Sequence, residues 1–367
     1  MAVDGHGGEE DEERTGVTQI TIIDDGIRTL EATPDPVRGT FLVDADRLLD
    51  ALGWELKPAG LCREDACVPV ADAGRLRVGE RLDLTAVAGA LGRPVVVDVD
   101  AGMMAVALPA ELRRQALDDL RAPAFELPDL DGNLRGLDEW AGSKRLLVTF
   151  SSWCGCRYDL PGWQALHDEL SPRGFTVIAV AIDYSADDVR PWTEGITMPV
   201  LYDPTHLLTE LYAISNVPTV VWIDEDGGIA RPIGTAHGTD LFVEFTGIEA
   251  GPHLDGVRRW VNDGVVPITG SEARAAVDDL TEDEVLARLH FRVASEAHRA
   301  GDDEATRRHL TLASDLAPDD LTIWRAGMPL VGEDPFGDAF YVRYEEWRKR
   351  GSPAHGLPPV TGTSPAA

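Results

Sequence analysis

Two cysteines one glycine apart, Cys154 and Cys156, are the residues of this 367-residue chain best suited to chemistry. They follow an apolar run at residues 146–150 and precede a stretch with helical patterning, so we expect them where a strand ends and a helix begins. The unpaired N–H groups and the positive dipole end of a helix N-terminus favour a thiolate. The pair is therefore predicted to be redox-active, with Cys154 as the nucleophile and Cys156 as the resolving thiol.

The single residue between the two thiols constrains any disulfide that they form. A Cys-x-Cys disulfide closes a ring of roughly eleven atoms, against about fourteen for Cys-x-x-Cys, so the preferred S–S dihedral is hard to reach. Gly155 is the residue type best able to supply unusual backbone angles. We expect an easily reduced disulfide and a comparatively oxidising couple. The alternatives are two buried thiols that never pair, or two ligands of a metal ion.

Further segments share the pattern of a known family: residues 122–127 with Asp131-Gly132-Asn133, then Trp153-Cys154 with Arg157 and Leu160-Pro161, and finally Asn216-Val217-Pro218 before an apolar strand and turn at 219–227. Through these segments, residues 122 to about 234 resemble the ResA/TlpA and redoxin group (AhpC/TSA type) of thioredoxin-like proteins. The resemblance implies an α/β thioredoxin fold. It also implies a cis Val217–Pro218 peptide facing the thiols.

The thiol motif departs from that family's Cys-x-x-Cys. The shorter Cys154-Gly155-Cys156 is similar to a ResA-like branch with the motif Trp-Ala-x-x-Sec-Gly-Cys, some members of which are selenoproteins. Phe150 and Ser151 replace its Trp-Ala, and Cys154 occupies the selenocysteine position. The resemblance implies that Trp153 packs against the site and shapes the approach of a substrate.

Two charged residues follow the thiols. Asp159 stands where relatives often carry a glutamate that tunes the thiols and moves protons, and the alternative is an ordinary carboxylate on a helix surface. Arg157 is interpreted as a solvated helix residue that slightly favours the thiolate.

Three functions remain open from the sequence. The first is thiol–disulfide exchange. The second is a peroxidase of the alkyl hydroperoxide reductase type, which needs Pro-x-x-x-Thr/Ser-x-x-Cys; Ser151 fits the hydroxyl position but Leu147 replaces the proline. The third is a non-catalytic, redox-sensing interaction protein.

A second pair, Cys62 and Cys67, lies in a hairpin-like segment earlier in the chain. The two cysteines are interpreted as a structural pair, as a second redox pair that relays electrons to Cys154 and Cys156, or as half of a metal site.

The chain is predicted to contain a small α+β domain, a thioredoxin-like domain and a helical region. The small domain has a weak strand–helix repeat and resembles the N-terminal module of copper amine oxidases, while the helical region resembles one tetratricopeptide hairpin. An aromatic stripe at 340–347 is interpreted as core. The predicted ranges are 1–16 (disordered acidic tail), 17–121 (small domain), 122–264 (thioredoxin-like), 280–351 (helical) and 352–367 (disordered tail).

A net charge of -31 makes nucleic acid and anionic membrane surfaces poor partners. No secretory signal and no apolar run of membrane-spanning length is recognised, so cytoplasmic localisation is expected. We expect neither cofactor nor metal. The expected partners are a protein or small-molecule disulfide as substrate, and a thiol or thioredoxin-type electron donor.

Overall fold

The computed structural model describes residues 16–275 and 279–360. Backbone contacts divide the chain into two units. The first contains residues 16–22, 28–91 and 97–104, and the second contains residues 23–27, 92–96 and the described chain from 105 onward. Of the tails predicted at 1–16 and 352–367, the first lies outside the described ranges except for residue 16, whereas residues 352–360 of the second are described. There the Leu357 N–H donates to the Ile233 carbonyl oxygen at 2.7 Å.

The first unit is built on β-strands with two short helices. Its elements are β1 (Thr18–Ile23), β2 (Ile27–Asp35), β3 (Thr40–Val43), α1 (Leu48–Leu52), β4 (Glu55–Lys57), β5 (Gly60–Arg63), β6 (Ala66–Val68), β7 (Arg77–Val78), β8 (Arg81–Asp83), α2 (Leu84–Ala90), β9 (Val95–Asp98) and β10 (Met103–Val106). One sheet has the strand order β7-β8-β3-β2-β1-β10-β9, and a smaller one the order β4-β5-β6.

Local sequence explains the two helices. Asp83 caps α2 by accepting hydrogen bonds from the N–H groups of Thr85 and Ala86. Gly53 ends α1 in the left-handed region, with φ of 73°, where a side chain would be strained. The predicted strand–helix repeat is present as β3–α1–β4 and β8–α2–β9.

The second unit combines a mixed sheet with many helices. Its elements are α3 (Ala110–Leu117), β11 (Glu126–Pro128), β12 (Leu134–Gly136), β13 (Lys144–Phe150), α4 (Leu160–Leu170), β14 (Phe175–Ala181), α5 (Ala186–Val189), β15 (Val200–Tyr202), α6 (Leu207–Leu211), β16 (Thr219–Ile223), β17 (Ile229–Thr235), α7 (Val243–Thr246), α8 (Gly251–Asp263), α9 (Gly270–Ala275), α10 (Glu282–Arg299), α11 (Asp303–Leu316), α12 (Leu321–Leu330) and α13 (Asp338–Lys349).

The central sheet of this unit has the order β15-β14-β13-β16-β17. β13, β14 and β15 are parallel, and β16 and β17 close the sheet in antiparallel fashion. β13 and β14 are buried almost throughout, which explains their nearly continuous apolar sequence. The carboxyl end of β13 thus opens directly onto the predicted thiol site.

The helical region begins with a hairpin of α10 and α11, which pack against each other. Thr281 and Glu284 form a capping box at the start of α10, and Asp302 caps α11. α12 and α13 follow and share an apolar cluster that includes Trp324, Phe340 and Trp347. The aromatic stripe of α13 therefore contributes to the core. The likeness to a tetratricopeptide hairpin stays a prediction, as do the domain boundaries at 121 and 264.

Within the described part of the chain, no helix has both the length and the apolar character needed to cross a membrane.

Candidate redox site

Cys154 and Cys156 lie at the junction that the sequence predicts. β13 ends at Phe150, a 3-10 turn runs over Gly155–Asp159, and α4 begins at Leu160. Cys154 caps the turn, since its Sγ accepts a hydrogen bond from the Cys156 N–H at 3.3 Å. Both thiols are free and buried, with 6% and 2% of their surfaces exposed. Cys154 is slightly the more exposed of the two.

The surroundings separate the two thiols chemically. Burial on its own raises the pKa of Cys154. A hydrogen bond with Cys156 and the positive charge of Arg325 outweigh that effect, with help from His237, and lower the pKa to about 6. Burial raises the pKa of Cys156 well above its ordinary value, and the hydrogen bond and charge of Cys154 add to the rise. Cys154 is thus the thiol that ionises first.

The Val217–Pro218 peptide is cis, as predicted, and lies beside the thiols. When protonated, the Cys154 thiol donates to the Val217 carbonyl oxygen at 3.7 Å. Val217, Pro218 and both thiols line the same cavity.

Asp159 is fully buried, so the interpretation as a surface carboxylate is wrong. Its Oδ2 lies 2.9 Å from His237 Nδ1, and its Oδ1 accepts from the N–H and hydroxyl of Thr239 at 3.0 and 2.6 Å. His237 also lines the cavity over the thiols, and its other ring nitrogen takes no part in the contact with Asp159.

His237 is a site residue that no motif in the sequence indicates. It comes from the segment after β17 and has no spaced partner that would mark it as functional. Two glycines let its segment lie directly on α4: a Cβ on Gly238 would stand 2.7 Å from the Asp159 carbonyl oxygen, and one on Gly162 would stand 2.0 Å from that of Gly238. The two glycines, Gly162 and Gly238, are the feature of the sequence that points to a close contact between these segments.

Arg157 is not a solvated residue, contrary to the expectation from the sequence. Its guanidinium stacks at 3.9 Å from the ring centre of Trp192 and 4.5 Å from that of Phe336, and it donates to the Ser152 carbonyl oxygen. It therefore braces the loop that carries the thiols.

Ser151 and Trp153 are held by the end of the neighbouring strand. Ser151 Oγ lies 2.9 Å from the Ile182 carbonyl oxygen and 3.0 Å from Asp183 Oδ2. The Trp153 indole N–H donates to the same Ile182 oxygen at 3.0 Å. Burial raises the pKa of Asp183 to about 6, against the effect of its hydrogen bonds from Ser151 and Ser152. The Ser151 hydroxyl is thus engaged within the fold.

A cavity of about 510 Å³ opens over the thiols. One side is formed by the thioredoxin-like layer, and the other by helices α12 and α13 and the segment at 242–248. Its lining includes Cys154, Gly155, Cys156, Val217, Pro218, His237, Phe242, Phe245, Arg325, Phe336, Phe340, Tyr341, Tyr344, Trp347 and Arg348.

Cys62 and Cys67 form a disulfide across the β5–β6 hairpin, where they are directly paired, with Cα atoms 4.0 Å apart. The bond leaves no free thiolate there for a metal ion. Within residues 16–275 and 279–360, no group of three or more His, Cys, Asp or Glu residues is placed to bind a metal.

The family comparison matches the part of the chain that contains Cys154, Cys156 and Pro218. A model of the AhpC/TSA family matches residues 119–231. Thiol-disulfide oxidoreductase ResA of Geobacillus thermodenitrificans (strain NG80-2) is 27% identical over 124 residues, which are 33% of this chain and 71% of that relative. Thioredoxin-like protein YneN of Bacillus subtilis (strain 168) is 31% identical over 115 residues, which are 30% of this chain and 66% of that relative.

Among solved structures, one from Chlorobium tepidum assigned as thiol:disulfide interchange protein DsbE has 30% sequence identity and a TM-score of 0.28. The similarity covers 30% of this chain and 79% of that one. Residues 119–231 are a ResA-like redoxin segment with a thioredoxin-like fold.

Proposed function

We propose that this protein, through its ResA-like redoxin segment, is a thiol–disulfide oxidoreductase in which Cys154 and Cys156 carry out the exchange. One observation carries the proposal: two free thiols two positions apart lie beside a cis-proline, and their pKa values are shifted in opposite directions. A thiolate that ionises near neutral pH is a ready nucleophile, and a protonated neighbour can resolve its product.

The exchange proceeds in two steps. The Cys154 thiolate attacks one sulfur of a substrate disulfide, forms a mixed disulfide and releases the other half as a thiolate. Cys156 loses its proton and attacks Cys154, which forms the Cys154–Cys156 disulfide and releases the second half. The substrate disulfide gains two electrons and the enzyme dithiol loses them. A thiol or thioredoxin-type donor then restores the dithiol.

The second step needs a proton acceptor, because the pKa of Cys156 is well above its ordinary value through burial and the charge of Cys154. His237 is suited to this role. Asp159 contacts its Nδ1, its other ring nitrogen takes no part in that contact, and both His237 and Cys156 line the cavity. A histidine oriented by a buried carboxylate is an arrangement that favours proton removal from a thiol.

Turnover of a small neutral disulfide, hydroxyethyl disulfide, with glutathione as donor tests the proposal. The wild-type protein should accelerate its reduction. Cys154→Ser should be inactive, and Cys156→Ser should stop after one mixed disulfide per chain. Acceleration that survives in Cys154→Ser would contradict the assigned site, and no acceleration by any variant would contradict the function and favour a redox-sensing role.

The AhpC/TSA match keeps thiol peroxidase as a second candidate. Two observations oppose it: Leu147 lies inside β13 paired with Val221, and the Ser151 hydroxyl contacts Ile182 and Asp183. Neither side chain is free to activate a peroxide. Oxidation of the reduced protein by hydrogen peroxide should run near the rate of an ordinary thiolate, while rates several orders of magnitude higher would favour the peroxidase. The cytoplasmic location expected from the sequence remains a proposal.

A further inference from the structure

The thiols lie beneath a cover instead of on an open surface. Only 6% of Cys154 and 2% of Cys156 is exposed, and a Cβ on Gly155 would stand 2.7 Å from the ring of Phe242. The way to Cys154 is through the cavity of about 510 Å³. Cavities of about 300–1,000 Å³ enclose small-molecule ligands. A folded protein substrate would have to displace helices α12 and α13 to reach the sulfur.

The wall opposite the thiols is aromatic. The ring of Tyr344 stacks on that of Phe245 with centroids 4.9 Å apart, and it also lies 5.3 Å from the rings of Phe340 and Trp347. Tyr344 is only partly buried, and Phe245 has 37% of its surface exposed. Both rings therefore present apolar surface to the cavity that they line, and contact of an aromatic group with such rings contributes about 0.5–1.5 kcal/mol beyond burial of the surface.

Arg325 supplies a buried positive charge in the same cavity. Its guanidinium lies 3.7 Å from the ring centre of Phe340, and its Nε and Nη2 donate to the Pro335 carbonyl oxygen at 3.2 and 3.0 Å. It is 7% exposed and forms no ion pair with a carboxylate of the described residues. Buried cations are ordinarily paired with an anion. In the reduced protein Arg325 lowers the pKa of Cys154 and so stabilises its thiolate, but that negative charge is lost when the sulfur bonds to a substrate. Arg325 therefore favours a substrate that carries its own anionic group beside the Cys154 sulfur.

We infer that the substrate of this site is a small aromatic disulfide that carries a negative charge, with its ring on the Phe245–Tyr344 wall and its anionic group toward Arg325. The inference rests on the proposed function and narrows its substrate class. The Cys154 thiolate attacks the sulfur attached to the ring, the S–S bond of the substrate breaks, and the other half leaves as a thiolate. Cys156 then loses its proton and attacks Cys154, which releases the ring-bearing half as an aromatic thiolate, so the enzyme dithiol supplies the two electrons. A dithiol reductant restores the enzyme.

Four disulfides test separately whether the site prefers an aromatic group, a negative charge and a small substrate. They are dithiobis-nitrobenzoate (aromatic, anionic), dithiodipyridine (aromatic, neutral), dithiodiglycolate (aliphatic, anionic) and insulin. Each rate constant with the reduced protein is divided by that of the same disulfide with mercaptoethanol, which removes differences in intrinsic reactivity. The normalised rate should be highest for dithiobis-nitrobenzoate, at least about tenfold above the others, and should saturate with concentration. Insulin should be the poorest substrate.

Variants identify the side chains that cause the preference for the anionic aromatic disulfide. Arg325→Gln should lower the ratio of dithiobis-nitrobenzoate to dithiodipyridine rates by about tenfold, the usual effect of losing a charged hydrogen-bond partner. Arg325→Lys should restore most of the ratio. Arg343→Gln is the matched control, since Arg343 also stacks on a ring of this cluster, 4.5 Å from the centre of Trp324, but does not line the cavity. Each ratio compares two disulfides with the same variant, so a change in the ionisation of Cys154 affects both rates alike and cancels.

Phe245→Leu tests the wall without disturbing the core and should reduce the ratio of dithiobis-nitrobenzoate to dithiodiglycolate rates. A normalised insulin rate that equals or exceeds that of dithiobis-nitrobenzoate would overturn the inference and leave the proposed function standing. Ratios unchanged in Arg325→Gln would overturn it as well. Rates no higher than mercaptoethanol with every disulfide would instead overturn the proposed function.

Discussion

At the residue scale, the site depends on a difference between two thiols that are separated by one glycine. Cys154 is placed beside Arg325 and accepts the Cys156 N–H, whereas Cys156 is more deeply buried and faces the Cys154 charge. Both cysteines and the cis-proline can be predicted from the sequence, because each belongs to a short motif of neighbouring residues. His237 and Arg325 reach the site from distant segments, and no spacing relates them to the thiols. The Asp159–His237 contact, for example, joins residues 78 positions apart.

The reactivity of Cys154 should depend on pH in the acidic range. Its pKa is lowered to about 6, so its alkylation by iodoacetamide should rise as the pH increases through about 6 and level off above that value. Cys156, whose pKa is raised, should alkylate slowly throughout. Arg325→Gln should move the Cys154 transition to higher pH. Peptide mapping after timed alkylation measures both sites, and faster labelling of Cys156 at neutral pH would reverse the assigned roles.

Asp159 and His237 should act on the second step of exchange. With dithiobis-nitrobenzoate, the first equivalent of aromatic thiolate reports attack by Cys154 and the second reports attack by Cys156. At about pH 8, Asp159→Asn and His237→Gln should leave the first phase nearly unchanged and slow the second by about 100-fold, the scale of general base catalysis. Equal slowing of both phases would show a structural role instead.

At the element scale, the turn before α4 and the segment after β17 form one structure. The sequence predicts the strands and the start of α4 well, because buried apolar runs and the strand-to-helix junction are local features. The sequence does not show that residues 237–239 lie against α4, because that placement depends on close contacts of Gly162 and Gly238 between distant segments.

Gly162→Ala tests that contact. Its Cβ would stand 2.0 Å from the Gly238 carbonyl oxygen, so the segment of His237 must shift. We expect a loss of about 1–3 kcal/mol in the free energy of unfolding, as in other overpacked sites, and a slower second phase of exchange. Gly251→Ala, at a helical position with no atom within 4 Å of its Cβ, is the matched control and should change neither quantity appreciably. Urea unfolding and the two-phase assay measure both, and a Gly162→Ala protein as stable and as fast as the control would contradict the contact.

At the scale of the whole molecule, the thioredoxin-like segment is about a third of the chain, and the helical region supplies the far wall of its cavity. Aromatic residues of α13 were assigned to the core from their spacing, and Phe340 and Trp347 do belong to an apolar cluster. Phe340 and Trp347 also line the cavity. The spacing of apolar residues along a helix shows which face is buried, but it does not show whether that face contacts other side chains or a cavity. A redoxin domain without such a cover would present its thiols to larger substrates.

The Cys62–Cys67 disulfide of the first unit is expected to serve stability. It closes a loop with a sequence separation of 5. Replacing both residues in Cys62→Ala/Cys67→Ala should lower the stability of that unit by about 2 kcal/mol, the chain-entropy value for a loop of this size. Both phases of exchange at Cys154 and Cys156 should keep their rates. Loss of multiple-turnover activity with intact single-turnover phases would instead support the electron relay considered from the sequence.

The central claim is that Cys154 makes the bond to substrate, and trapping with Cys156→Ser tests it most directly. The reduced variant is treated with dithiobis-nitrobenzoate, digested without reductant and examined by peptide mass spectrometry. We expect one aromatic half attached to Cys154, with the Cys62–Cys67 peptides still joined and no adduct in Cys154→Ser under the same brief exposure. An adduct on Cys156 in Cys154→Ser that forms as fast as the adduct on Cys154 would contradict it.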